Sequence, residues 1–224
     1  MNPLIRIAIM FLVDLLIYKF LGFWLGLIGL GFVIYRTLSI LGFTRSPSFF
    51  RANFADGIAF LKDYQGPFYK NKAAFEDAAN LIKTFKLKDY IIIGMYFDKP
   101  GEVEENKLRY SIGIFKKNKG FPEKPPEELE RHCISNGYNY VELPDASSLF
   151  SSWEFSRSFT MMIGIQKFNS SLKKNLEDAD FKRTYRIKDG ACKVIIELYE
   201  TESMIHFYIP LLNTDKFLVY KKDK

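Results

Sequence analysis

Two neighbouring stretches near the carboxyl end carry the side chains best suited to chemistry. "CKVIIELYE" (residues 192–200) and "MIHFYIP" (residues 204–210) both alternate with the period of two expected of a strand. "ETES" (residues 200–203) between them predicts a hairpin with a four-residue loop. Antiparallel pairing about that loop sets Tyr199 opposite Met204, Glu197 opposite His206 and Ile195 opposite Tyr208, all on one face. A carboxylate beside an imidazole among phenols could hold a ligand, or supply a base and a polarising group. It could equally be the wet face of a half-exposed sheet. An adjacent anion favours the charged ring, so His206 is expected to titrate above its ordinary value of about 6.5. Tyr64 and Tyr96 complete a candidate ligand-binding groove with Glu197, Tyr199, His206 and Tyr208.

Other chemistry finds little footing. The chain has no G-x-S-x-G, no H-E-x-x-H, no Walker loop and no Rossmann fingerprint, so no catalytic residue is assigned. Its two cysteines, Cys133 and Cys192, lie far apart without metal-ligand spacing, which suggests neither a disulfide framework nor a zinc site and fits a reducing compartment. No metal and no cofactor is expected. The net charge of +6 is spread among acidic residues instead of forming blocks, which argues against nucleic acid as a partner.

The elements that must position these residues occur in a pattern that repeats. "GIAFLKDY" reads as a strand, "KAAFEDAANLIKTFK" as a helix with Ala74, Ala78, Leu81, Ile82 and Phe85 on one stripe, and "YIIIGMYFD" and "KLRYSIGIF" as two strands. "LFSSWEF", the long helical stretch over residues 156–179, "CKVIIELYE" and "MIHFYIP" follow the same order. Between the halves, two prolines open a short helix, Gly137 closes it, and "YNYVEL" is a further strand. A duplicated strand–helix–strand–strand unit predicts an α+β fold: an antiparallel sheet with helices on one face and an open concave groove on the other.

The amino-terminal stretch is of another kind. Residues 15–35, "LLIYKFLGFWLGLIGLGFVIY", hold Lys19 as their only charge over a length that can cross a bilayer. The organisation expected is a membrane anchor over 1–41 with a transmembrane helix at about 15–36, a linker over 42–56, the duplicated domain over 57–215 and a short basic tail over 216–224. Gly22, Gly26 and Gly29 fall at helical spacing and could pack against a second copy in a homodimer. Arg36, Arg45 and Arg51 after the helix, against Arg6 and Lys19 before it, place the domain in the cytosol and leave Asn169 of "NSS" unglycosylated.

The domain resembles the GyrI-like family. The residues that carry the likeness are "YQGPF" (64–68), "GMYFDKP" (94–100) followed by Arg109 and Gly113, and the endings "IELYE" and "HFYIP". The resemblance covers residues 57–212 and implies the duplicated α+β fold. In bacterial GyrI-like effector domains a glutamate four positions before the last strand's proline pairs with cationic ligands, and here that position is His206. Some family members are hydrolases that use acidic and aromatic groove residues.

With the amino-terminal helix, the chain is similar to the single-pass, endoplasmic-reticulum branch of the family, whose members serve as receptors for selective autophagy of that organelle (reticulophagy). Those members carry a long acidic tail with an aromatic–x–x–aliphatic motif for ubiquitin-like modifiers, and this sequence stops at Lys224. In-domain matches to that motif are "YIII" (90–93), "YVEL" (140–143) and "YIPL" (208–211), all within expected strands, so modifier binding is not expected. The resulting expectation is a non-enzymatic membrane adaptor or receptor at the endoplasmic reticulum, partnered by the lipid bilayer and by protein. The alternative is a small-molecule-binding or hydrolytic groove.

Overall fold

The computed structural model describes residues 3–99, 101–118, 124–155, 158–188, 190, 192–201 and 203–220. They form two compact units, one of residues 1–47 with 155–171, the other of residues 48–154 with 172–224.

In the first unit the apolar run does not form the single helix expected at about 15–36. It forms two, α1 (Pro3–Leu21) and α2 (Phe23–Ile40). Gly22 between them has φ 90° and ψ 169°, a conformation open to glycine almost alone, so neither helix runs through it. Of the described helices, α2 has the length and composition to cross a membrane. The two pack antiparallel: a side chain at Gly26 would strike Tyr18, and one at Gly29 would strike Asp14. Two of the three glycines expected to meet a second copy thus face α1, and the third is the break. The unit also holds the first part of α5 (Ser158–Glu177). There the Phe159 ring stands 6.4 Å from that of Phe43, and the Lys167 ammonium donates to the carbonyl oxygens of Phe43 and Arg45.

The second unit is an eight-stranded antiparallel sheet with helices. Its elements are β1 (Phe50–Phe54), β2 (Gly57–Gln65), α3 (Lys72–Thr84), β3 (Tyr90–Tyr96), β4 (Arg109–Lys117), α4 (Glu127–Ser135), β5 (Asn139–Leu143), β6 (Ala146–Glu154), α6 (Ala179–Tyr185), β7 (Ile195–Thr201) and β8 (Met204–Pro210). The sheet order is β1-β6-β8-β7-β3-β4-β2-β5. The duplication is visible in it: β6-β8-β7 and β3-β4-β2 are equivalent triplets meeting at the β7–β3 pair. β1 lies in the stretch read as a linker and adds to the β6 edge of the later triplet, β6-β8-β7, while β5 adds to the β2 edge of the earlier one, β3-β4-β2.

That exchange forces the sheet to curl. Only Ala55 and Asp56 join β1, at one edge, to β2, beside the other. Two residues span at most about 10 Å, so the edges must approach, and the Phe54 ring of β1 lies 5.3 Å from Phe115 of β4. Curling closes one face around Phe54, Met95, Phe115, Ile196, Leu198 and Phe217. The open groove expected there is a filled apolar core. Phe217 belongs to the stretch read as a basic tail, of which residues 221–224 lie outside the described residues. The opposite face is covered by α3 through Ala74, Ala78 and Leu81, at the spacing expected, and by α4 through Leu129 and Cys133.

Candidate functional site

The hairpin that carries Glu197 and His206 has a different register from the one expected. Its pairs are Glu197 with Phe207, Leu198 with His206 and Ile196 with Tyr208, with an irregularity between Tyr199 and Thr201. Glu200 is the extra residue of this bulge. A slip of one position sends every side chain to the opposite face. The six expected groove residues therefore separate. Tyr64, Tyr96, Glu197 and Tyr199 share the helix-covered face, while His206 and Tyr208 point to the closed face.

On the helix-covered face, alternation along three paired strands lines up Tyr64, Tyr110 and Tyr96. Tyr64 stacks on Tyr110 at 5.6 Å. Phe68, from the "QGPF" turn after β2, sets its edge against Tyr96 at 4.9 Å and Tyr110 at 5.4 Å. From α3, Phe75 meets Tyr199 at 5.0 Å. Glu197 lies between these two groups of rings and is 4% exposed. Its carboxylate accepts from the Tyr199 hydroxyl at 2.8 Å and from the Tyr96 hydroxyl, and Asn71 Nδ2 in turn donates to the Tyr96 oxygen at 3.4 Å. Tyr64, Phe68, Phe75 and Tyr199 are partly exposed, whereas Tyr96, Tyr110 and Glu197 are buried. The arrangement is an aromatic rim over an acidic floor.

Burial dominates the electrostatics of this floor. Loss of water raises the Glu197 carboxyl to about 7, against the two phenolic hydrogen bonds that favour its ionised form. Burial, with the neighbouring carboxylate next, holds the Tyr96 and Tyr199 hydroxyls well above their ordinary range, so they remain donors. Among the described residues, no basic side chain contributes to the Glu197 shift. The floor therefore changes charge near neutral pH.

His206 has a different partner from the expected Glu197. Its Nε2 stands 3.4 Å from Glu200 Oε2, Glu200 also binds the Lys117 ammonium, and the imidazole stacks on Phe150 at 5.4 Å. Burial lowers the His206 pKa more than Glu200 raises it, and Lys117 lowers it further. The expected upward shift is thus reversed. Tyr208 packs between Phe54 and Phe150 at 5.5 and 4.8 Å, as part of the closed core.

Two other motif residues are structural. Asp98 of "FDKP" grips Arg109 twice, Oδ1 accepting from Nη2 at 2.7 Å and Oδ2 from Nε at 2.9 Å, and also accepts from the Arg109 backbone N–H. Tyr110 and Phe75 escaped sequence reasoning. The signal for Tyr110 was there, since it shares its strand's inward alternation with Ile112 and Ile114; Phe75 is placed by helix packing alone.

No protein-family model and no curated protein sequence matches the chain. Among solved structures it is similar to the C-terminal domain of EcmrR, at 10% identity over 73% of this chain and 96% of that one, with a TM-score of 0.44. It is similar to SAV2435 bound to tetraphenylphosphonium, at 10% identity over 75% and 96%, with a TM-score of 0.45. It is also similar to a hydrolase from Listeria innocua, at 10% identity over 79% and 98%, with a TM-score of 0.44.

Proposed function

We propose that the second unit is a ligand-binding module of GyrI-like type, held at a membrane by the amino-terminal apolar helices. Its site is Glu197 beneath the rim of Tyr64, Phe68, Phe75 and Tyr199, and its ligand class is a compact lipophilic cation. The observation that supports this reading is a buried carboxylate with phenolic partners and, among the described residues, no basic side chain that shifts it. Burying such a charge alone is costly, and a bound cation offsets the cost by ionising it. The aromatic rings add attraction through their faces.

Calorimetric titration of the full chain with tetraphenylphosphonium tests the proposal. Saturable binding is expected, strengthening from about pH 6 to about pH 8 as Glu197 ionises, and disappearing in Glu197→Gln. Absence of binding, or equal binding by both forms at every pH, overturns it. The adaptor role at the endoplasmic reticulum, with a cytosolic domain acting in reticulophagy, is the second reading, and it draws on the length and apolar character of α2.

A further inference from the structure

We propose that α1 and α2 enter the bilayer together as a helical hairpin, so that the start of α1 and the whole chain after α2 face the same aqueous side. The proposal rests on the membrane-anchor reading above and replaces its single crossing.

Four observations carry it. First, α1 and α2 contain 19 and 18 residues, about 28 and 27 Å of helix, and each matches the roughly 30 Å hydrocarbon core. Second, both helices expose large apolar side chains over their outer surfaces, from Leu12, Leu15 and Phe20 on α1 to Trp24, Ile28 and Phe32 on α2; Trp24 is 76% exposed. A surface of that kind in water is a liability, and the bilayer core is the environment that suits it. Third, the acid of the pair is kept from its outer surface. Asp14, the only acid of either helix, is 9% exposed and faces Gly29 inside the pair. Fourth, the antiparallel pairing brings Arg6 level with Arg36 at the open end, with Arg45 just beyond, and leaves Lys19 near the Gly22 tip. In a single crossing Arg6 and Arg36 fall on opposite sides and nearly cancel; in the hairpin they act together and assign the open end to the cytosol.

The chain after α2 carries the eight-stranded sheet. Lys167 caps the carbonyls of Phe43 and Arg45 there. No later described helix has the length and apolar character to cross again.

The test uses the full chain in two forms, with an epitope at the amino or the carboxyl end, expressed in cells and recovered in sealed membrane vesicles. Protease added outside should remove both epitopes from vesicles whose lumenal marker stays intact, and the untreated chain should remain in the pellet after alkaline carbonate extraction. An amino-terminal epitope protected while the carboxyl-terminal one is digested overturns the hairpin and leaves the anchor standing. Release of the chain by carbonate overturns the anchor, and the hairpin with it.

Discussion

Glu197 holds its proton to about pH 7 in the folded chain, against an ordinary value of 4.5. The fold therefore prefers the protonated form. The stability linked to this group is fully present below 4.5, declines as the pH climbs and is gone above about 7, a total of at most about 3 kcal/mol. His206 runs the other way. Its folded pKa lies below the ordinary 6.5 because burial disfavours the imidazolium, so its contribution is present above 6.5 and is lost as the pH falls through the folded value. Urea midpoints measured between about pH 4 and pH 8 should separate the two. Glu197→Gln should abolish the decline on the alkaline side and leave that variant the more stable form at the upper end. His206→Asn should abolish the loss on the acid side. An NMR titration that places the His206 pKa above 6.5 would restore the Glu200 ion pair as the dominant influence on the ring.

At the scale of the element, β4 shows how little freedom the sheet has. Gly113 pairs with Leu61 on β2 and Ile93 on β3, and a Cβ placed on it would stand 1.8 Å from the Phe60 carbonyl oxygen. That atom is backbone and cannot swing away. Gly113→Ala should therefore cost about 3 kcal/mol, at the upper end of overpacking effects, read as a fall in the urea midpoint with unchanged slope. The β7–β8 hairpin teaches a different lesson. Alternation in "IELYE" and "IHFYIP" identifies both strands but is silent on which residue of one faces which residue of the other. The bulge at Glu200 shifts the pairing by one place, and that single step takes Glu197 from His206 and delivers it to Tyr96, Tyr199 and the helices.

Across the whole molecule, the sheet decides which short motifs a partner can reach. β5 is an edge strand, and Tyr140 on it is 38% exposed, yet Leu143, the second anchor of "YVEL", is 2% exposed beneath it. Tyr90 of "YIII" and Leu211 of "YIPL" are buried as well. A modifier that adds as a strand needs both anchors of its motif free. Calorimetry of the purified chain with a ubiquitin-like autophagy modifier should accordingly show no binding in the micromolar range. Micromolar binding that vanishes in Tyr140→Ala would mean that β5 peels from the sheet to present the motif.

By itself the sequence determined the local elements of both repeated halves, because periods of two and 3.6 and the glycine and proline punctuation are properties of consecutive residues. The strands from "GIAFLKDY" to "HFYIP", the stripe of α3 and the stop at Gly137 were legible for that reason, and so was the apolar character of the amino terminus. Four things were decided only by tertiary structure. The break at Gly22 follows from α1 packing back on α2, since nothing in an unbroken apolar run marks where it must turn. β1 becomes a strand because β6, far away in sequence, offers it a free edge. The curl that fills the expected groove follows from the two-residue links at Ala55–Asp56 and Pro144–Asp145, which constrain the sheet only once its order is known. The candidate site itself waited on the register of β7 and β8, because pairing joins residues by their opposite numbers on another strand, and no pattern within a single strand encodes that number.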